Sequence, residues 1–254
     1  MKIKITALSL ALTGLALFQG SAEAANAVSA DLIPAMVVVD KAYIPALALS
    51  GQPDQAAKAK EALAGFITAW KGFKDGPAAG PGFDEKWSRD LEEVDGAIAS
   101  ATDALKVEGD GAKAHEALEA VRITLLEARQ RMKVPYFLDY VTLYHNSMED
   151  ILNGRPAKSI KDWSAAERLS FVSDLDIGIA RWNKVKAMEG LLPEAGLSSK
   201  ALAAYSSQWQ VVASTMTEIR GALDAGDDKA LGDLLGRLKP SFTKTFFLFG
   251  AFPQ

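Results

Sequence analysis

The chain has no cysteine and only two histidines among its 254 residues. Without cysteine there can be no disulfide framework, no thiolate metal site and no covalent haem attachment through Cys-x-x-Cys-His. The scarcity of histidine removes most metal and nucleophile constellations, and the common hydrolase, phosphate-loop and dinucleotide fingerprints are missing from the sequence. We therefore expect that the protein is not an enzyme and that apolar cores supply its stability.

An excess of positive charge is also missing, because the formal net charge is −4 at pH 7. A protein that binds nucleic acid needs a basic surface to neutralise phosphates, so no nucleic-acid partner is expected. Beyond the N-terminus, no run approaches the roughly 20 apolar residues of a membrane helix. We therefore expect no transmembrane segment in the mature chain.

The N-terminus has the pattern of a secretory signal. Lys2 and Lys4 form a basic start, residues 5–18 are apolar, and Ala22-Glu23-Ala24 resembles an Ala-x-Ala cleavage site. This pattern predicts a cleaved signal peptide over residues 1–24. The form of the signal fits export to a Gram-negative periplasm, so we expect a periplasmic protein.

Apolar residues then recur at spacings of three and four, which is typical of amphipathic helices. The pattern predicts helices over residues 29–49, from the break at Gly51 to 73, over 84–107 and from the Gly109 turn to about 133. After Pro135 the pattern restarts, with helices over 136–152 and from Ser164, Ser198 and Asp227. The chain is therefore predicted to be all-α.

The second half resembles the first. Trp70 returns 112 residues later as Trp182, and the turn Gly109-Asp110 returns as Gly226-Asp227. Self-similarity at one period predicts an internal repeat, here of two tandem up-down-up-down four-helix bundles over residues 25–134 and 135–254. The alternatives are a single array of seven or eight helices, and a chance likeness between two Ala/Leu-rich stretches.

Met36 on the first helix, and the third helices that end in DALKVEGD (103–110) and GALDAGDD (221–228), are similar to the four-helix-bundle cytochromes of the cytochrome c-prime type. The resemblance implies a bundle fold. In that family, a histidine near the end of the fourth helix binds haem iron. The corresponding stretches here, 127–131 and 244–248, contain neither His nor Cys, so we do not expect bound haem.

The densest group of functional side chains lies on the fifth predicted helix. Tyr140 and Tyr144 belong to a tyrosine stripe at four-residue spacing and are predicted to contact a small ligand. His145, Met148 and Glu149 follow. Imidazole, thioether and carboxylate together suit a copper or iron ion, and these three residues are the predicted metal ligands. Core packing or contact between the bundles is the alternative explanation of the same pattern.

Two other features have simpler explanations. His115 lies one turn into the fourth helix beside acidic residues, and we expect it on a solvated helix face. The phenylalanines of the last helix are expected to fill a core, with a partner surface as the alternative; they are Phe242, Phe246, Phe247 and Phe249.

These observations favour an exported helical-bundle protein that binds or carries a transition-metal ion or small ligand near the junction of the bundles. The alternative hypothesis is a non-catalytic interaction module of the cell envelope, with an envelope protein as its partner and no bound ligand. Metal content and an absorption spectrum of the purified protein would separate the two hypotheses.

Overall fold

A computed structural model describes residues 15–80 and 82–253, with side chains from residue 32 onward except that of residue 108. The described residues form an all-α protein and contain no strand. Eight α-helices carry the architecture: α1 Leu15–Ser50, α2 Ala56–Asp75, α3 Trp87–Asp103, α4 Gly111–Arg131, α5 Phe137–Asn153, α6 Ala165–Ala187, α7 Ser199–Ala225 and α8 Asp228–Phe247.

Most helix boundaries agree with the sequence pattern. Helix α1 ends at Ser50 as predicted but begins at Leu15, well before the predicted start at residue 29. The stretch up to Ile33 contains no proline, so nothing in it interrupts helical hydrogen bonding. The predicted signal peptide lies outside the described residues over 1–14, and its remainder belongs to this helix.

The two Gly-Asp turns noted in the sequence have a left-handed glycine and an aspartate cap in common, although a π-helical segment over residues 104–108 precedes the first and α7 precedes the second. Gly109 and Gly226 both end a helix in the left-handed conformation, with φ of 69° and 68°. The side chain of Asp110 then accepts a hydrogen bond from the amide of Lys113, as that of Asp227 does from the amide of Ala230. Glycine allows the positive φ, and aspartate satisfies a free amide of the next helix.

Ser164 and Glu167 form the predicted capping box at the start of α6. The Ser164 hydroxyl accepts from the Glu167 amide, and the Glu167 carboxylate accepts from the Ser164 amide at 2.7 Å. Because both residues satisfy amides that have no partner inside the helix, the start of α6 is fixed locally.

The helices pack in two consecutive groups of four. In the first group, α1 contacts α2, α2 contacts α3, α3 contacts α4, and α4 returns to α1; helices α5 to α8 repeat this ring of contacts. Large apolar side chains fill the interior of both groups, including Phe66 and Trp70 in the first and Phe171 and Trp182 in the second. This arrangement is compatible with two tandem bundles.

Helix α1 contributes to both groups. Its stretch Leu32–Ser50, with a mean hydropathy of 1.7, is long and apolar enough to cross a membrane by length and composition alone, and 56% of it is buried inside the protein. A buried core helix or a signal sequence meets the same criterion. No apolar run of this length was predicted beyond the N-terminus. Asp40 and Lys41 divide the run in the sequence, but two charged residues lower its mean hydropathy only slightly.

A proline in α1 creates one of the contacts between the groups. Pro45 has no amide hydrogen, so the carbonyl of Lys41, one turn earlier, receives no helical hydrogen bond from it. The amide of Ala251, beyond the end of α8, donates to this carbonyl at 2.8 Å. The C-terminal segment of the second group is thereby held against the first helix of the first group.

A buried polar cluster joins the two groups where α4 leads into α5. Arg129 donates to Asp139 at 2.5 to 3.1 Å and to the Met36 sulfur at 3.5 Å, and its guanidinium lies 4.5 Å from the centre of the Tyr136 ring. The Tyr136 hydroxyl in turn donates to Asp40. We call Met36, Asp40, Arg129, Tyr136 and Asp139 the inner junction cluster.

Candidate functional site

A cleft of about 390 Å³ opens between the two helix groups. Its walls come from the last turn of α1 and the loop after it, from α4 and α5, and from α8. Its lining combines apolar side chains with charged and imidazole groups. The lining residues are Leu47, Ala48, Gly51, Gln52, Ala112, His115, Glu119, Arg122, His145, Lys239, Phe242, Thr243, Phe246 and Phe247.

His115 is on the wall of this cleft, and its side chain is 36% exposed, so it is partly solvated as well as in contact with the protein. Its Nδ1 lies 2.7 Å from the carbonyl oxygen of Leu47, which can only accept, so Nδ1 carries the proton. Its Nε2 lies 3.4 Å from Glu119, and this carboxylate raises the pKa of His115 above 6.5. Gly51 leaves room for the ring, since a Cβ there would be 3.1 Å from Nδ1.

His145 faces the same cleft from the other helix group. Arg122 approaches its Nδ1 at 2.6 Å, and because a guanidinium only donates, Nδ1 must be the unprotonated nitrogen. Burial and the charge of Arg122 lower the pKa of His145 to about 4. His145 is therefore neutral at pH 7, with its proton on Nε2.

Further ion pairs extend these contacts to α8. Arg122 also pairs with Glu119, His145 Nε2 lies 3.6 Å from Glu149, and Lys239 lies 2.8 Å from the same carboxylate oxygen. Six side chains therefore form a continuous polar series from the first helix group to the second. We call this series the cleft chain: His115, Glu119, Arg122, His145, Glu149 and Lys239.

The predicted metal ligands are only partly brought together. His145 and Glu149 are adjacent, but Met148 is fully buried in the apolar core. Both nitrogens of His145 are committed, one to Arg122 and one to its own proton, so neither offers a free lone pair. Across residues 15–80 and 82–253, no group of three His, Cys, Asp or Glu residues could hold a metal ion. The copper or iron site stays a prediction that this geometry disfavours.

The two predicted ligand-contacting tyrosines do not line the cleft. Tyr144 is fully buried, its ring centre is 4.4 Å from that of Trp182, and its hydroxyl donates to the Met216 sulfur at 3.5 Å. Tyr140 is half-buried, with the ammonium of Lys184 at 5.9 Å from its ring centre. The alternative of core packing describes Tyr144 well.

The C-terminal phenylalanines have two roles. Phe242 and Phe246 are buried and stack at 6.0 Å between ring centres, yet both also line the cleft together with the half-buried Phe247.

Two residues of the cleft, Arg122 and Lys239, were not predicted as site residues from the sequence. The only available signal was a lysine and three phenylalanines at helical spacing on α8, and nothing local shows that α4 faces them.

No protein-family model, curated protein or solved structure matches this chain at a significant level. The resemblance to the c-prime cytochromes therefore stays a prediction based on short motifs.

Proposed function

We propose that the protein binds a small molecule in the cleft between its two helix groups and acts as a binding or carrier protein. The observation that carries this proposal is the cleft itself, an opening of about 390 Å³ that brings both histidines of the chain together with a buried arginine and three phenylalanines. Residues that are far apart in sequence converge on one concave surface, which is typical of a ligand site.

The size and lining of the cleft support this role. Small-molecule sites enclose about 300 to 1,000 Å³ and combine apolar walls with a few placed polar groups. Here Phe242, Phe246 and Leu47 supply apolar surface, while His115 and Arg122 supply fixed polar groups. Holding Arg122 at 7% exposure costs stability, and a role in ligand binding gives a reason to retain it there.

A small organic molecule suits the cleft better than a bare metal ion. A metal ion bound by His145 Nδ1 would displace Arg122 from that nitrogen and place a second positive charge beside a buried cation. An organic ligand can use the apolar wall and leave these contacts intact. Of the two ligand classes predicted from the sequence, a transition-metal ion and a small ligand, we therefore propose the small ligand.

The proposal includes export to the periplasm and an internal repeat. The signal pattern of residues 1–24 supports export. The repeat is supported by the matching conformations of Gly109 and Gly226 and the matching aspartate caps that follow them. The cleft lies where the two proposed repeat units meet.

The experiment uses two fluorescent probes that differ by one sulfonate group, N-phenyl-1-naphthylamine and 8-anilino-1-naphthalenesulfonate. Ala48→Phe and Ala112→Phe each introduce a ring at the lining of the cleft. Ala57→Phe, at an exposed position of α2 outside the cleft, is the matched control. Circular dichroism melts check that all variants fold.

We expect at least one probe to bind saturably, with one site per chain. Each cleft variant should weaken binding about tenfold or more, since a ring fills space that a ligand needs, and Ala57→Phe should leave it unchanged. Absence of saturable binding, or equal binding by all four proteins, would overturn the proposal. The interaction module without ligand would then be the better hypothesis.

A further inference from the structure

The charged groups of the cleft lining are mostly donors. Arg122 and Lys239 have donors and no acceptor capacity, and Glu119 is the one carboxylate among the lining residues of the described chain. The Glu119 carboxylate is already paired with Arg122 and lies close to His115. The one anionic group of the lining is therefore occupied, whereas the two cations keep unused donors.

Arg122 has a donor that the protein does not use. Its terminal nitrogen NH2 serves both Glu119 and His145, whereas its Nε is buried and has no hydrogen-bond partner within the described protein. A buried N–H group without an acceptor costs about 1–3 kcal/mol, so such a group is uncommon unless something supplies the acceptor. The Arg122 side chain also lines the cleft, so an anion bound there would lie beside a cation whose hydrogen bonding the protein leaves incomplete.

Lys239 provides a second source of spare donors at the edge of the cleft. Its side chain is 56% exposed and contacts one carboxylate oxygen, that of Glu149, at 2.8 Å. An ammonium has three N–H groups, so two remain for water or a ligand. Next to this ammonium the lining is apolar, because Phe242, Phe246 and Phe247 follow Lys239 on the same helix.

From this arrangement we infer that the ligand is a small amphipathic anion. Its acceptor-only headgroup, of the carboxylate or sulfonate type, is held by Arg122 and Lys239, and its apolar body lies on the phenylalanines of α8. The inference rests on the proposed function and specifies its ligand class. Charge-assisted hydrogen bonds to such a headgroup are stronger than those to a neutral group, which gives preference for the anion.

The test compares the two probes in wild type and three variants, because the two probes differ only in the sulfonate. Lys239→Met removes the ammonium at the cleft, and Lys244→Met removes an exposed lysine of the same helix that does not line it. The measured quantity is the ratio of the affinity for the anionic probe to that for the neutral probe. A ratio cancels general changes in the apolar wall.

We expect Lys239→Met to lower this ratio about fivefold, as for loss of one partly exposed charge contact, and Lys244→Met to leave it unchanged. Arg122→Lys keeps the charge but removes the Nε donor, and it should also lower the ratio. Thermal melts identify any variant that does not fold, and the Lys239 result stands without the Arg122 variant.

The outcomes separate the inference from the proposed function. If both probes bind in a cleft-dependent manner but the ratio is the same in wild type, Lys239→Met and Arg122→Lys, the cleft is a ligand site and the anion inference is wrong. If neither probe binds saturably, the proposed function fails and the inference fails with it.

Discussion

The inner junction cluster and the cleft chain lie on the same boundary between the helix groups, yet they differ in how their charges are satisfied. In the inner cluster, Arg129 is engaged by Asp139, Met36 and the Tyr136 ring, and the gap beside it, which Arg122 also lines, measures about 10 Å³. In the cleft chain, Arg122 keeps an unused donor beside a cavity of about 390 Å³.

This difference indicates two roles for buried arginines in one interface. A buried cation whose partners all belong to the protein fixes how α4 meets α5, because any relative movement would leave a charge without its partner. A buried cation with an unused donor next to a cavity supports the proposal that the cleft takes a ligand. We therefore propose that the inner cluster sets the position of the helices and that the cleft binds.

The largest effect should come from breaking the inner cluster. Arg129→Met leaves Asp139 buried without its partner and should lower the free energy of unfolding by about 3–5 kcal/mol, measured by urea denaturation. Arg220→Met, which breaks the more exposed pair with Asp176, is the control and should cost less than about 1 kcal/mol. Equal losses would show that the inner cluster does not fix the junction.

The second prediction concerns the pH dependence of the cleft chain. The pKa of His145 is about 4, below its ordinary 6.5, so its neutral form stabilises the fold above pH 6.5 and this contribution is lost as pH falls through 4. His145→Gln should therefore reduce the loss of unfolding free energy between pH 7 and pH 4 by about 3 kcal/mol.

His115→Gln provides a control of opposite sign. The pKa of His115 is raised by Glu119, so its contribution is present below pH 6.5 and is lost as pH rises through the folded value. Removing His115 should make the acid loss of stability steeper. Changes of the same sign in the two histidine variants would contradict their assigned environments.

A smaller effect is expected for Asp40, one of the two acids of the inner junction cluster. Burial raises the pKa of Asp40 to about 6, so its contribution to stability is complete below pH 3.8 and is lost as pH rises through 6. Asp40→Asn, whose carbonyl can still accept from Tyr136, should raise the unfolding free energy at pH 8 by about 1–2 kcal/mol. The gain should vanish at pH 4, and a loss at pH 8 would refute this description. Asp54→Asn at an exposed position is the control.

The smallest effect is expected at the two Gly-Asp turns, one of which lies in each helix group. Gly109→Ala and Gly226→Ala each place a Cβ on a left-handed residue with open space around it, so each should cost about 1 kcal/mol by denaturant unfolding. Gly236→Ala, in the interior of α8 with no atom near its Cβ, should instead stabilise. Clearly unequal costs at the two turns would weaken the proposed repeat.

Helices were predictable from sequence because their signals are local. The apolar spacing, the capping box at Ser164 and the Gly-Asp turns each act within a few residues, and all of them are confirmed in the structure. The start of α1 was not predicted correctly, because a signal-like pattern and an Ala-rich helix have similar composition. Nothing in the local sequence distinguishes them.

The site predicted from the sequence and the proposed cleft have His145 in common but differ in their other members. Tyr144 and Met148, predicted to contact a ligand and a metal, are buried in the core. Arg122 and Lys239, which line the cleft, were not predicted. The reason is that α4, α5 and α8 meet through contacts between distant residues, and a single sequence does not show which faces are opposed.

The central claim is that ligand binding occurs at the cleft where the two histidines lie. The most direct measurement is a titration of the wild-type protein with the two fluorescent probes, followed by NMR of the imidazole carbon–proton signals. Since the chain has only two histidines, His115→Gln and His145→Gln assign both signals. We predict that both signals shift along one binding curve that agrees with the fluorescence titration. Saturable probe binding that moves neither signal would contradict the claim.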